Sequence, residues 1–179
     1  ESKGILIFME SIGEILRNNP NIIVKIAGAP LGDYLSSTQE IKLKFEKCFY
    51  KLKKNFPQQI FYMGVIYSIE KEQILAESSI FVLPTFYRTE AFPITIIEAM
   101  RFGNAIVTTN HNYLSDIVNI SNGFLVDPNS AKDLTEKINL LLLDLPRLEH
   151  IQKTNILEAK EKYSSKRFNA EIERIISNL

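Results

Sequence analysis

The chain has 179 residues, 45% hydrophobic and 23% charged, enough apolar material for one compact domain to bury most of its nonpolar surface. Its 21 Lys and Arg balance 21 Asp and Glu, so no overall charge draws it to a polyanion, and no nucleic-acid partner is expected. The single cysteine, Cys48, excludes an internal disulfide, and the longest apolar runs fall well short of the ~20 residues that span a bilayer.

These features fit a reducing, cytoplasmic setting. The chain opens at Glu1 without an initiator methionine and reads as an excised part of a longer protein.

The first predicted element is a helix. Ile5, Phe8, Met9, Ile12, Ile15 and Leu16 recur at helical spacing until Asn18, Asn19 and Pro20 stop the pattern. The β-branched run from Ile22 to Ala27 reads as a buried strand, closed by Gly28, Ala29, Pro30 and Gly32. From Thr38 to Phe56 the spacing predicts an amphipathic helix. Ile41, Phe45, Cys48, Phe49 and Leu52 share one face, and Lys44, Lys47, Lys51 and Lys54 share another. That lysine face reads first as solvated surface, with peripheral contact to anionic lipid as its functional alternative.

Further strands are predicted at Gln59 to Met63, Ser79 to Leu83, Ala105 to Thr109 and Gly123 to Val126, separated by helical segments or substantial loops. After Asp127 and Pro128 the chain reads as helical to its end, over Ala131 to Leu143, Arg147 to Lys162 and Ser165 to Ile176. Short apolar strands alternating with helices call for crossover connections and two covered faces. The expected fold class is therefore α/β, a doubly wound, Rossmann-like parallel sheet forming one domain over residues 1–179.

In such sheets ligands gather beyond the carboxyl ends of the strands, which singles out the loops after Gly28, Met63 and Leu83. The loop after Leu83 runs from Pro84 to Phe92 and leads into a helix whose first turn is expected to carry Pro93 and which Gly103 closes. A helix N-terminus behind a strand offers free N–H groups and a positive dipole end, so residues 93–97 suit a diphosphate. The same helix is apolar except for Thr95 and Glu98. A carboxylate there requires a cation, several donors or a ligand's hydroxyls, and vicinal ribose hydroxyls would serve. A structural ion pair is the plain alternative for Glu98, as favourable charge before a helix start is for Glu90.

The passage from Phe81 to Val126 resembles the family 4 glycosyltransferases of the GT-B fold, which carry two glutamates separated by seven residues. Here it reads Glu90-Ala91-Phe92-Pro93-Ile94-Thr95-Ile96-Ile97-Glu98-Ala99-Met100, followed by Gly103 and Ile106-Val107-Thr108-Thr109-Asn110. Ser115-Asp116-Ile117-Val118, Asn122-Gly123-Phe124-Leu125-Val126 and Asp133-Leu134 continue the likeness.

The resemblance implies a retaining, metal-independent transferase that takes a nucleotide sugar and no cofactor; it leaves UDP and GDP open, and a UDP-sugar is the expected donor. By it, Glu90 would contact the transferred sugar and Glu98 the ribose. The backbone from Phe92 through Pro93 and Ile94 to Thr95 would face sugar and diphosphate. Lys3, in the Lys3-Gly4 pair, would grip the diphosphate, and Gly64, Val65 and Ile66 would hold the base. It also implies an N-terminal acceptor domain in the same protein, a glycan or lipid-linked acceptor, and an upstream strand with a phosphate-binding arginine.

One departure is Asn112-Tyr113, which stands where many relatives carry a glycine pair, so restricted backbone approach is expected there and the pair is left out of the candidate site. No Asp-x-Asp sequence occurs, so the usual metal-holding motif is missing. Two other readings stand beside this one: a GT-B nucleotide-sugar 2-epimerase, and a non-catalytic nucleotide-sugar-binding module.

Overall fold

The structure, a computed structural model, describes residues 1–177. Helix α1 (Ile5–Asn18) is followed by β1 (Val24–Ala27), α2 (Thr38–Asn55), β2 (Ile60–Gly64), α3 (Ser68–Glu77), β3 (Ile80–Leu83) and α4 (Ile94–Arg101). Then come β4 (Ala105–Thr109), α5 (Leu114–Ile117), β5 (Gly123–Val126), α6 (Ala131–Leu143), α7 (Leu145–Lys162) and α8 (Ser165–Ser177).

Local chemistry fixes several helix starts. Ser37 Oγ accepts the backbone N–H of Glu40 while the Glu40 carboxylate accepts that of Ser37, a reciprocal cap for α2. Ser130 and Asp144 cap α6 and α7 with their side chains. The strands predicted at Ala105 to Thr109 and Gly123 to Val126 form with those bounds, the other three differ by one or two residues, and α7 begins two residues earlier than Arg147 because Asp144 caps it there. Helix α3 and the short α5, each left undivided as helix or loop by the sequence, both form.

Every strand pair is parallel, as expected, but the pairs form two sheets: β1 with β2, and β3-β4-β5. The continuous sheet implied by the strand rhythm is thus divided. One core nevertheless spans both pieces. Met9, Ile12, Ile15 and Leu16 of α1 pack there with Val24, Ile26 and Ile60 from one sheet, and with Val107, Phe124 and Val126 from the other.

Alternate residues turn to the opposite face. Ile106 joins a second core with Ile96, Ile97, Ala99 and Met100 of α4 and Leu114 of α5, while Phe81, Leu83 and Leu125 pack at its margin. This alternation is the two-sided cover the sequence called for. All five β4 residues are buried, whereas all four of β3 are only half-buried. β3 therefore has an open edge although its own sheet continues on the other side.

The lysine face of α2 is largely exposed, with Lys44 reaching back to the Glu1 carboxylate at 2.8 Å. Helix α8 buries no side chain, leaving Phe168, Ile172, Ile175 and Ile176 exposed. Among the described residues, no helix is long and apolar enough to cross a membrane.

Candidate functional site

The loops after β1 and β3 meet, so both sheets present their carboxyl ends on the same side. Tyr34 stacks on Tyr87 with ring centroids 6.3 Å apart, its hydroxyl donates to the Phe86 carbonyl at 3.3 Å, and the Arg88 guanidinium lies 4.7 Å from its ring. Residues 1–4 run between these loops. The backbone N–H and hydroxyl of Ser2 both donate to Asp33 Oδ2 at 2.6 Å, and Phe86 N–H donates to the Ser2 carbonyl at 2.8 Å.

Gly4 makes this approach possible. It adopts φ 79°, and a Cβ there would lie 2.0 Å from the Pro84 carbonyl oxygen. Gly4→Ala is expected to destabilise the fold by about 3 kcal/mol or more through combined strain and backbone clash, measured by urea unfolding. Stability equal to wild type would contradict this packing.

The same approach delivers Lys3 to Glu90. The lysine Nζ is ion-paired with Glu90 Oε2 and lies 5.1 Å from the Tyr87 ring centroid. The Glu90 side chain is 9% exposed and that of Lys3 55%. Glu90 also accepts a hydrogen bond from Thr85 Oγ1 at 3.1 Å. Two residues 87 positions apart, assigned by the resemblance to the transferred sugar and the diphosphate, therefore touch.

The Glu90 loop is tied to β4. Thr109 Oγ1 donates to the Thr85 carbonyl, and the His111 ring nitrogen Nε2 lies 3.0 Å from that of Tyr87. The Asn112 amide donates to the carbonyls of Arg88 and Glu90, each at 3.1 Å. Asn112 sits at φ 49°, a backbone position asparagine tolerates better than most side chains. The residue that departs from the relatives' glycine thus staples the loop bearing Glu90. Sequence reasoning set Asn112 aside, and its turn-forming chemistry beside Tyr113 was the only signal available.

Helix α4 begins one residue later than expected. Pro93 occupies the cap position with an extended backbone, φ −72° and ψ 105°, and not the first turn. The shift corrects the placement but keeps the consequence. Among the described residues no side chain caps the helix, so its first turn at Ile94 and Thr95 offers N–H groups with no side-chain acceptor. Pro93 is buried, Phe92 and Ile94 are exposed, and the Phe92 ring meets Tyr163 edge-on at 5.8 Å. Burial, reinforced by the charge of Glu158, pushes the Tyr163 phenol above its ordinary pKa.

Glu98 lies in the middle of α4, and its partner is Lys71 of α3, with Nζ 2.5 Å from Oε1. The pair borders a cavity of about 170 Å³ shared with Ser68, Glu72, Leu75, Arg101 and Phe102. Of the partners the sequence left open for Glu98, the structure shows a cation, a lysine from a helix that the sequence had not resolved, which is the ion pair given as the plain alternative. Gly64 ends β2 at φ 67° and accepts the Gly28 N–H at 2.7 Å, while Val65 is exposed and Ile66 half-buried. Among the described residues no hydrogen bond or ion pair joins residues 64–66 to Lys3, Glu90 or the start of α4. Nor do three His, Cys, Asp or Glu side chains gather as a metal-ligand set.

The sequence and the fold have counterparts among known proteins. Residues 1–157 match the family model of the glycosyl transferases group 1. The chain belongs to this family.

Among curated relatives of this group 1 domain, an N,N'-diacetylbacillosaminyl-diphospho-undecaprenol alpha-1,3-N-acetylgalactosaminyltransferase of Campylobacter jejuni is 32% identical over 111 residues, 60% of this chain and 29% of the relative. A sucrose synthase of Melioribacter roseus is 31% identical over 182 residues, 93% of this chain and 22% of the relative. The chain thus spans less than a third of either. Anabaena HepE, solved in complex with UDP, superposes with a TM-score of 0.84 at 20% identity, over 99% of this chain and 46% of that one. At that identity the superposition establishes the GT-B-type α/β fold.

Proposed function

We propose that this group 1 domain binds the nucleotide-sugar donor of a retaining glycosyltransferase. The observation that carries the reading is the meeting of Lys3 with Glu90 on the loop that runs directly into the uncapped start of α4, so that one loop and the helix behind it supply a cation, a carboxylate and N–H groups without a side-chain acceptor. UDP is the proposed nucleotide carrier, supported by the UDP complex of the structurally similar Anabaena protein.

In the proposed reaction Glu90 contacts the sugar hydroxyls, while Lys3 and the backbone N–H groups of Phe92, Ile94 and Thr95 receive the diphosphate. The bond from the anomeric carbon to the diphosphate oxygen breaks, and its electron pair leaves with the diphosphate. The acceptor hydroxyl attacks from the same face, and its proton passes to the departing phosphate oxygen. Lys3 and the dipole of α4 offset the charge that builds there, so the step invokes neither a metal nor another cofactor. Glu98 receives the ribose, and Gly64, Val65 and Ile66 receive the base through their backbone.

The proposed acceptor is a glycan or lipid-linked sugar held by an N-terminal GT-B domain of the same protein, working in the cytoplasm or at the membrane face. Exposed apolar side chains support a covering domain. Leu31, Val65, Phe92, Ile94 and Tyr113 stand exposed on or beside the loops at the carboxyl ends of the strands, and α8 presents Phe168, Ile172, Ile175 and Ile176. The divided sheet supports a further parallel strand between β1 and β3, pairing with both open edges. Slow amide exchange on β1 and β3 in the full-length protein is expected; rapid exchange along both would contradict that strand.

Calorimetric titration of the full-length protein with UDP, GDP and their sugars tests the donor reading. Binding of a UDP-sugar is expected, and binding of none would overturn it. Product analysis that records transfer with retained anomeric configuration separates an enzyme from a binding module. Lys3→Met should weaken UDP binding by about tenfold while leaving uridine binding unchanged, as expected for one charge-assisted contact to phosphate. Equal losses for both ligands would remove Lys3 from the diphosphate.

A further inference from the structure

The segment assigned to the base, Gly64 to Ile66, and the carboxylate assigned to the ribose, Glu98, lie on different elements. Their mutual placement must nonetheless be fixed if one nucleoside is to touch both. The segment leads within two residues into α3, which is lightly anchored: only Leu75 is buried, and the Asn104 side-chain amide donates to the Leu75 carbonyl at 2.8 Å. The one ion pair between α3 and α4 among the described residues is Lys71 with Glu98.

Both partners are partly withdrawn from water, with Lys71 33% exposed and Glu98 26%, so the contact is better shielded than a surface pair. It occupies Oε1 only. Among the described residues Glu98 Oε2 has no hydrogen-bond donor, and the pair borders the cavity of about 170 Å³ between the two helices. An ionised carboxylate offers about four acceptor positions across its two oxygens, so one lysine leaves room for a hydroxyl pair.

We propose that Lys71 is a positioning residue for nucleoside recognition: it holds Glu98 by one oxygen, leaves the other to the ribose hydroxyls, and locks α3 with its base-binding segment at the matching distance. This rests on the donor reading and names how that site selects a ribonucleoside diphosphate.

The test compares full-length wild type with Lys71→Met and Lys71→Arg, titrated with UDP, 2′,3′-dideoxy-UDP and inorganic pyrophosphate, with thermal unfolding recorded for each. Wild type should prefer UDP over the dideoxy analogue by about tenfold. Lys71→Met should lose about tenfold in UDP affinity and most of that preference, with pyrophosphate binding unchanged. Lys71→Arg, which keeps the cation, should restore the preference to within about threefold of wild type.

UDP affinity and preference unchanged in Lys71→Met would overturn the role. So would a gain in UDP affinity, which would mark Lys71 as a competitor for Glu98, and so would equal losses for all three ligands, which would mark a damaged fold. A wild type that binds none of the nucleotides fails differently, because it overturns the donor reading itself. A wild type that binds UDP and its dideoxy analogue equally removes the ribose from Glu98 and the proposal with it.

Discussion

Glu90→Gln is expected to lower sugar transfer by about 100-fold while leaving the affinity for UDP within about twofold of wild type. The substitution preserves shape and leaves an oxygen to accept the Thr85 hydroxyl, so the buried position stays filled and satisfied. What disappears is the negative charge facing Lys3 and, in the proposed reaction, the sugar. A charged acceptor holds the sugar's hydroxyls more strongly as positive charge grows at the anomeric carbon, so its removal acts on the transition state more than on ground-state binding. The nucleotide is spared because Lys3, freed from its partner, remains available to the diphosphate. Single-turnover transfer and calorimetry with UDP measure the two quantities separately. Transfer within threefold of wild type, or a parallel fall in UDP affinity, would remove Glu90 from the sugar.

Glu98→Ala is expected to produce the complementary pattern, a loss of roughly ten- to hundredfold in UDP affinity. Two hydroxyls would lose a charged acceptor, and Lys71 would lose its partner and its hold on α4. Thermal stability should fall only modestly. Both side chains keep a quarter or more of their surface in water, so neither charge is stranded in the interior. With saturating donor the transfer rate should recover toward wild type, which separates this effect from that of Glu90→Gln. Unchanged UDP affinity would reduce Glu98 to a structural ion pair.

Much of this fold was legible because its signals are local. The six apolar positions from Ile5 to Leu16 are explained by burial against one core, and α1 forms where the pattern begins and ends. The runs at β4 and β5 were readable because parallel strands covered on both faces are apolar without interruption. Helix α3 was not resolved because it buries only Leu75, leaving little periodic apolar signal. For the same reason Lys71 could not be named, since its relevance depends on a carboxylate 27 residues away.

The glutamate spacing behaved in the same way. Glu90 and Glu98 were readable as a pair by resemblance, and the need of a carboxylate within an apolar helix for a cation, several donors or a ligand's hydroxyls followed from desolvation alone. Which of these it meets, and from which residue, did not. Asn112 shows the reverse case: its departure from glycine suggested an obstacle, while folding turns its amide onto the carbonyls of Arg88 and Glu90.

By itself the sequence determined which segments are strands, which helix faces turn inward, and which loop carries the chemistry, because periodicity, capping and turn residues act over a few positions. Only the tertiary structure decided that the parallel strands divide into two sheets, that Lys3 meets Glu90, and that Lys71 meets Glu98. Those outcomes depend on the packing of α1 across both sheets and of α3 beside α4, contacts between residues far apart in the chain whose partners no local pattern specifies.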